Sequence, residues 1–136
     1  MSNKVVARYL DGRILKGISL DVDPAKPTCH VRPAAGLAQE VRLADLKALF
    51  FVRSLEGNTA YEEATSPAPS DPRLRGSSLI TLRFHDGEEI VGLTNRFPPT
   101  RPYFFVLPVD IASNNLRMLI NRSAVASMEA LPAPPA

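Results

Sequence analysis

The sequence predicts an all-β protein made of two repeated small β-barrel units in tandem, and three observations carry that prediction. The first is an internal repeat. Lys4–Pro33 aligns without a gap on Leu79–Pro108, an offset of 75 positions, and eight of the 30 pairs are identical, among them Arg8/Arg83, Asp11/Asp86, Gly12/Gly87, Gly17/Gly92 and Val31/Val106. Repeats are sought first because missing one misreads the whole fold. The second observation is an Asp-Gly pair in each copy, set between runs rich in β-branched and aromatic residues. That is the strongest short-range hairpin signal, and the expected type I′ turn needs positive φ at both central residues. The third is a glycine at the same point of each second strand, Gly17 and Gly92, expected to mark a bulge or bend that curls the sheet.

The elements follow in order. In the first unit, Val5–Leu10 and Arg13–Leu20 form the hairpin around Asp11-Gly12. A Pro-containing loop, Asp23–Pro27, leads to a third strand at Thr28–Arg32, then strands at Glu40–Leu43 and Lys47–Val52, with room for a short turn within Ala44–Ala48. In the second unit Ile80, Leu82 and Phe84 alternate with Thr81, Arg83 and His85, the period of a strand with one wet face. Strands at Glu88–Asn95, Tyr103–Leu107, Leu116–Asn121 and Val125–Leu131 complete it. There the offset drifts to about 77–79, which sets Leu46 against Val125. The expected organisation is a first unit at 1–53, a partly disordered linker or surface excursion at 54–78, a second unit at 79–131 and a disordered Pro-rich tail at 132–136.

Units of about 55 residues are marginal on their own, so the copies are expected to share a core or pack face to face. The net charge of +2 divides as +4 over residues 1–53, −2 over 54–78 and zero over 79–136, with no run of Lys or Arg. Cys29 is the single cysteine, which excludes an internal disulfide and suits a reducing compartment. Met1–Lys4 leads straight into a strand pattern, and the longest apolar stretches, Ala48–Val52 and Tyr103–Leu107, are far short of a bilayer span. A cytoplasmic protein is expected, with no membrane contact.

Each unit's pattern of strand, Asp-Gly turn, curling strand ending at glycine and shorter strands resembles an Sm-like or SH3-like small barrel. The whole chain also resembles an uncharacterised bacterial family of tandem β-domains, on Val5–Arg13, Val41–Val52, Phe104–Asp110 and Ser113–Arg117. That resemblance implies an accessory module, sometimes attached to response-regulator receiver domains, and supplies no catalytic residue. The Asp-Asn pair with which Sm proteins read RNA bases has no match after Gly17 or Gly92, so RNA binding does not follow from the resemblance.

No catalytic constellation is present. Cys29 and His30 are neighbours on a presumed strand and point to opposite faces, and Cys29 aligns with Phe104, which marks it as a small core residue. One Cys and two widely spread His make no metal spacing, and no Gly-rich phosphate loop occurs. The Arg-x-x-x-Arg element of cyclic-dinucleotide-binding PilZ barrels is missing, since Arg13 leads to Gly17 and Arg96 to Thr100. No enzyme, cofactor or metal is expected. The most distinctive polar cluster is Asp110 to Arg117 beside the loop Arg96–Pro102. Candidate ligand-binding residues are therefore Arg96, Arg101, Asn114, Asn115 and Arg117, since paired Arg clamp a carboxylate or phosphate and Asn supplies amide donors and acceptors. The plainer reading, and the preferred one, is a loop closing on its own barrel with Ser113 and Asn114 as turn caps. Phe50, Phe51, Phe104 and Phe105 are candidate interface residues: adjacent strand positions face opposite ways, so both faces need cover, one from the barrel core and one from the other copy or a second chain. The expected role is a non-catalytic interaction or regulatory module that binds a protein partner in bacterial signalling. The alternatives are nucleic-acid binding by Sm-like units and a small anionic ligand or nucleotide site. A homo-oligomer is a further possibility.

Overall fold

Alternating apolar residues in short runs leave this chain little choice but strands, and a computed structural model, which describes residues 3–57 and 60–132, contains ten of them. They are β1 (Asn3–Tyr9), β2 (Ile14–Ser19), β3 (Thr28–Val31), β4 (Gln39–Arg42), β5 (Leu46–Val52), β6 (Ser78–Phe84), β7 (Glu89–Thr94), β8 (Tyr103–Pro108), β9 (Asn115–Asn121) and β10 (Val125–Ala130). Three short 3₁₀ turns, Leu43–Asp45, Pro72–Arg75 and Arg122–Ala124, are the helical content of the described residues. No helix there is long and apolar enough to cross a membrane. The tail expected to be disordered lies, from residue 133 on, outside the described residues.

Every pairing is antiparallel. Eight strands form one sheet in the order β10-β6-β7-β8-β9-β5-β1-β2, and β3 with β4 makes a separate hairpin joined to β2 through a bridge between Ile18 and Arg32. The expected closed barrels are not formed: the pairings among the described residues leave an open sheet. The seam between the halves is β5 on β9, with Phe50 opposite Met118 and Phe51 opposite Arg117.

The Asp-Gly hairpins form where predicted but not with the predicted turn. Only Gly12 (φ 95°) and Gly87 (φ 94°) have positive φ there; Asp11 and Asp86 do not. The Gly12 N–H donates to the Tyr9 carbonyl and the Tyr9 N–H to that of Arg13, while Gly87 and Phe84 repeat both bonds with Phe84 and Glu88. These are three-residue loops ending in a left-handed glycine, the other common way to match strand twist. Gly17 and Gly92 are likewise not bulges, for they pair in regular register with Val5 and Ile80. They are small because the next strand crosses too closely: a Cβ on Gly17 would stand 2.3 Å from the Arg32 carbonyl oxygen, and one on Gly92 would stand 2.3 Å from Val106 Cγ1 and 2.8 Å from the Leu107 oxygen.

Strand alternation at the seam divides the apolar residues between two cores. Val5, Ala7, Cys29, Val31, Val41, Leu46, Leu49, Phe51 and Leu119 form one. Phe50, Val52, Ile80, Leu82, Phe84, Phe104, Val106, Met118 and Ile120 form the other. All seven residues of β5 are buried, as expected of a strand with both faces covered. Phe50 and Phe104 therefore lie in one core, while Phe51 and the half-buried Phe105 pack on the other side, with ring centroids 6.0 Å apart.

Candidate functional site

The β7–β8 connection and the outward-facing residues of β8 and β9 build a cleft of about 560 Å³. Alternation sends Phe104 and Val106 of β8 into a core and turns Tyr103 and Phe105 toward the cleft, whose wall Phe104 also reaches. Arg117, opposite Phe51 in the β5–β9 register, lays its guanidinium 4.2 Å from the Phe51 ring centroid and 4.6 Å from that of Phe105. Two rings thus hold one planar cation, the geometry of cation–π attraction. Arg96 and Arg101 reach the same cleft from either side of a loop whose Phe97–Pro98 peptide is cis and whose Pro99 is buried. Pro24, from the first half, supplies another part of the wall. No carboxylate lines this cleft, and among the described residues none of these three guanidinium groups has a hydrogen-bond or ion-pair partner.

Asn114 and Asn115 are not there. They line a second cleft, of about 570 Å³, on the opposite face of the sheet. Asn114 works as a clamp. The Ser54 N–H donates to its Oδ1 (3.1 Å), its Nδ2 donates to the Ser54 carbonyl (3.0 Å), and its own carbonyl accepts from the Arg53 N–H (2.9 Å). Buried Ser113 accepts from the Asn115 N–H at 3.0 Å. The Arg53 guanidinium donates to the carbonyls of Ser113 and Ile111. The polar cluster thus splits: its Arg faces one cleft, and its amides fasten a loop beside the other.

The second cleft has an apolar floor that includes Val6, Phe50, Val52 and Met118, and five carboxylates (Glu56, Glu63, Glu88, Glu89 and Asp110) against two cations, Arg8 and Lys16. Most of these acids are engaged. Asp110 Oδ2 accepts from the Tyr61 hydroxyl (2.7 Å) and the Ala64 N–H (2.8 Å), tying down the inter-half excursion. The Tyr61 bond, then the backbone N–H bonds of Ala64 and Ala112, hold its carboxyl below the ordinary Asp range.

A family model matches residues 1–132. The chain belongs to the DUF6982 family of unknown function. No curated protein and no solved structure matches it.

One polar feature of this DUF6982 chain gave no sequence signal. Lys47, the second residue of β5 and 5% exposed, donates to Asp86 (2.7 Å) and Glu88 and stands 4.7 Å from the Phe84 ring centroid. Arg8 joins Glu88 at 3.1 Å, so two cations of the first half grip the Asp-Gly turn of the second. Asp86 is lowered chiefly by its Lys47 bond. Burial pushes Glu88 up, but bonds to Lys47 and Arg8 outweigh it and leave Glu88 below its ordinary value. A lysine inside an apolar run reads as an exposed alternate position, and only the turn arriving from the other half explains its burial.

Cys29 is fully buried in the first core, and burial, with a smaller contribution from Asp21, pushes its thiol up to about 11. His30 faces the other way and bonds Asp21 through Nδ1 at 2.7 Å. Among the described residues no group of three His, Cys, Asp or Glu is disposed to hold a metal ion.

Proposed function

We propose that this DUF6982 protein is a non-catalytic recognition module of two Sm-like or SH3-like units in tandem, which binds an acidic segment of a protein partner in the cleft of Arg96, Arg101 and Arg117. The single observation that carries the reading is that three Arg, none of whose guanidinium groups has a hydrogen-bond or ion-pair partner among the described residues, line one cleft free of carboxylates. Such an arrangement leaves net positive charge uncompensated until an anion arrives, and Arg presents a rigid donor fork suited to carboxylate and phosphate. The tandem reading is supported by the matching order of five strands with a 3₁₀ turn before the last in each half, and by the matched glycine approaches of Gly17 and Gly92. The setting in bacterial signalling rests on the family resemblance.

Fluorescence anisotropy with a labelled Glu-rich peptide tests the site. Binding is expected to weaken at least tenfold in Arg117→Ala, and Arg101→Ala should act in the same direction. Equal affinity in both variants and the parent would remove the reading. Nucleic acid is the competing partner, because cations beside rings also suit stacked bases. Against it, the Phe51 ring is buried and Arg117 already stacks on the Phe105 ring. A complex with single-stranded DNA whose affinity falls steeply with added salt would favour that partner instead.

A further inference from the structure

Resting on the assignment of the basic cleft as the binding site, we infer that the group it takes is a phosphate monoester in its dianionic form. The cleft carries three cations and no anion. A single carboxylate would leave two of them uncompensated, whereas a phosphate brings nearly two negative charges and three acceptor oxygens. The donors are all guanidinium groups, whose planar forks meet phosphate oxygens in pairs; no lysine lines the cleft. Arg117 is held in advance by the Phe51 and Phe105 rings, so less side-chain freedom is lost on binding. Arg96 and Arg101 flank one loop, which lets them approach an anion seated on Arg117 from a second side. The Thr94 hydroxyl is already committed to the Phe105 carbonyl at 3.2 Å, which leaves the Asn95 amide and the hydroxyls of Thr100 and Tyr103 as the neutral donors of the lining. A volume of about 560 Å³ lies within the usual range for sites that enclose a small group.

The charged and titratable residues lining this cleft are Arg96, Arg101, Arg117 and Tyr103, with no histidine or carboxylate. Histidine is the side-chain type that ordinarily titrates between pH 5.5 and 7.5, and none lines this cleft, so a change in affinity over that interval reports the ligand. The dianion of a phosphate monoester takes up a proton near pH 6, which predicts roughly a fourfold loss of affinity from pH 7.5 to 5.5.

Calorimetric titration of the full chain with a phosphoserine peptide, its Ser and Glu counterparts, inorganic phosphate and adenosine monophosphate decides the matter. The phosphoserine peptide should bind at least tenfold more tightly than either counterpart and lose affinity at pH 5.5. Arg117→Lys should lose most of that preference although the charge is kept, and Arg101→Ala, on an exposed loop, provides a second variant with an undisturbed core. Equal binding of the Glu and phosphoserine peptides, or no effect of pH, overturns the phosphate assignment and leaves an acidic protein partner standing. Binding of adenosine monophosphate or inorganic phosphate without the phosphopeptide keeps the phosphate assignment and removes the protein partner. No binding by any probe overturns both.

Discussion

The two clefts of this protein are nearly equal in size and lie on opposite faces of one sheet, yet they hold their charges in opposite ways. On the acidic side Glu56 accepts from Ser54, Glu88 from Lys47 and Arg8, Glu89 from Arg83, and Asp110 from Tyr61 and two backbone N–H groups. Those carboxylates are hydrogen-bonded or ion-paired within the fold and serve it. On the basic side the guanidinium groups of Arg96, Arg101 and Arg117 have no such partner among the described residues, where the stacking of Arg117 on two rings is what engages them. Charge that the fold has already satisfied reads as architecture, and charge it leaves open reads as recognition. Strand alternation in β5 and β9 separates the two faces: Phe50 and Met118 floor one cleft, Phe51 and Arg117 support the other.

The sharpest way to break that comparison is at the paired phenylalanines. Phe50→Ala and Phe51→Ala are each expected to cost about 3–5 kcal/mol in urea unfolding, because each vacates a buried aromatic site. At temperatures where both variants remain folded, only Phe51→Ala should also lose anion binding, since it alone removes a ring beneath Arg117. Loss of anion binding in Phe50→Ala as well would mean that the clefts are not independent.

A smaller effect is expected from Lys47→Met, because Asp86 and Glu88 are partly exposed and regain water. Both carboxyls sit below their ordinary values of 3.8 and 4.5 in the folded state. A depressed folded pKa contributes stability that is present above the ordinary value and lost as pH falls through the folded one. The melting midpoint of the parent should therefore drop between about pH 5 and pH 3, and that drop should be shallower in Lys47→Met. Unchanged acid limbs would show that this contact between the halves contributes little. The least effect comes from Asn114→Ala, which removes two neutral hydrogen bonds to Ser54 and is expected to cost about 1 kcal/mol without altering anion affinity. An altered affinity would return Asn114 to the binding site.

Much of the fold was legible in the chain. The Asp-Gly pairs located both hairpins because only glycine takes the left-handed position that closes them. Gly17 and Gly92 were singled out correctly, but the bulge offered as one reason is absent, since a close approach by another strand leaves no local trace that separates it from a bulge. The offset of 79 that set Leu46 against Val125 reappears where these residues pair with Tyr9 and Phe84, 75 positions apart. At the site, sequence proximity was misleading. Asn114 and Asn115 lie three and two residues from Arg117 but line the opposite cleft.

Local chemistry by itself determined the strands, the reversals and the alternation of apolar and polar faces, because each depends on a few neighbouring residues. Only the tertiary structure decided that β5 joins β9, that Lys47 is buried against a distant turn and that Arg117 shares a cleft with the two Arg of the β7–β8 loop while Asn114 and Asn115 do not. Which sheet edges meet is set by long-range burial of apolar surface, and no short window of residues encodes it.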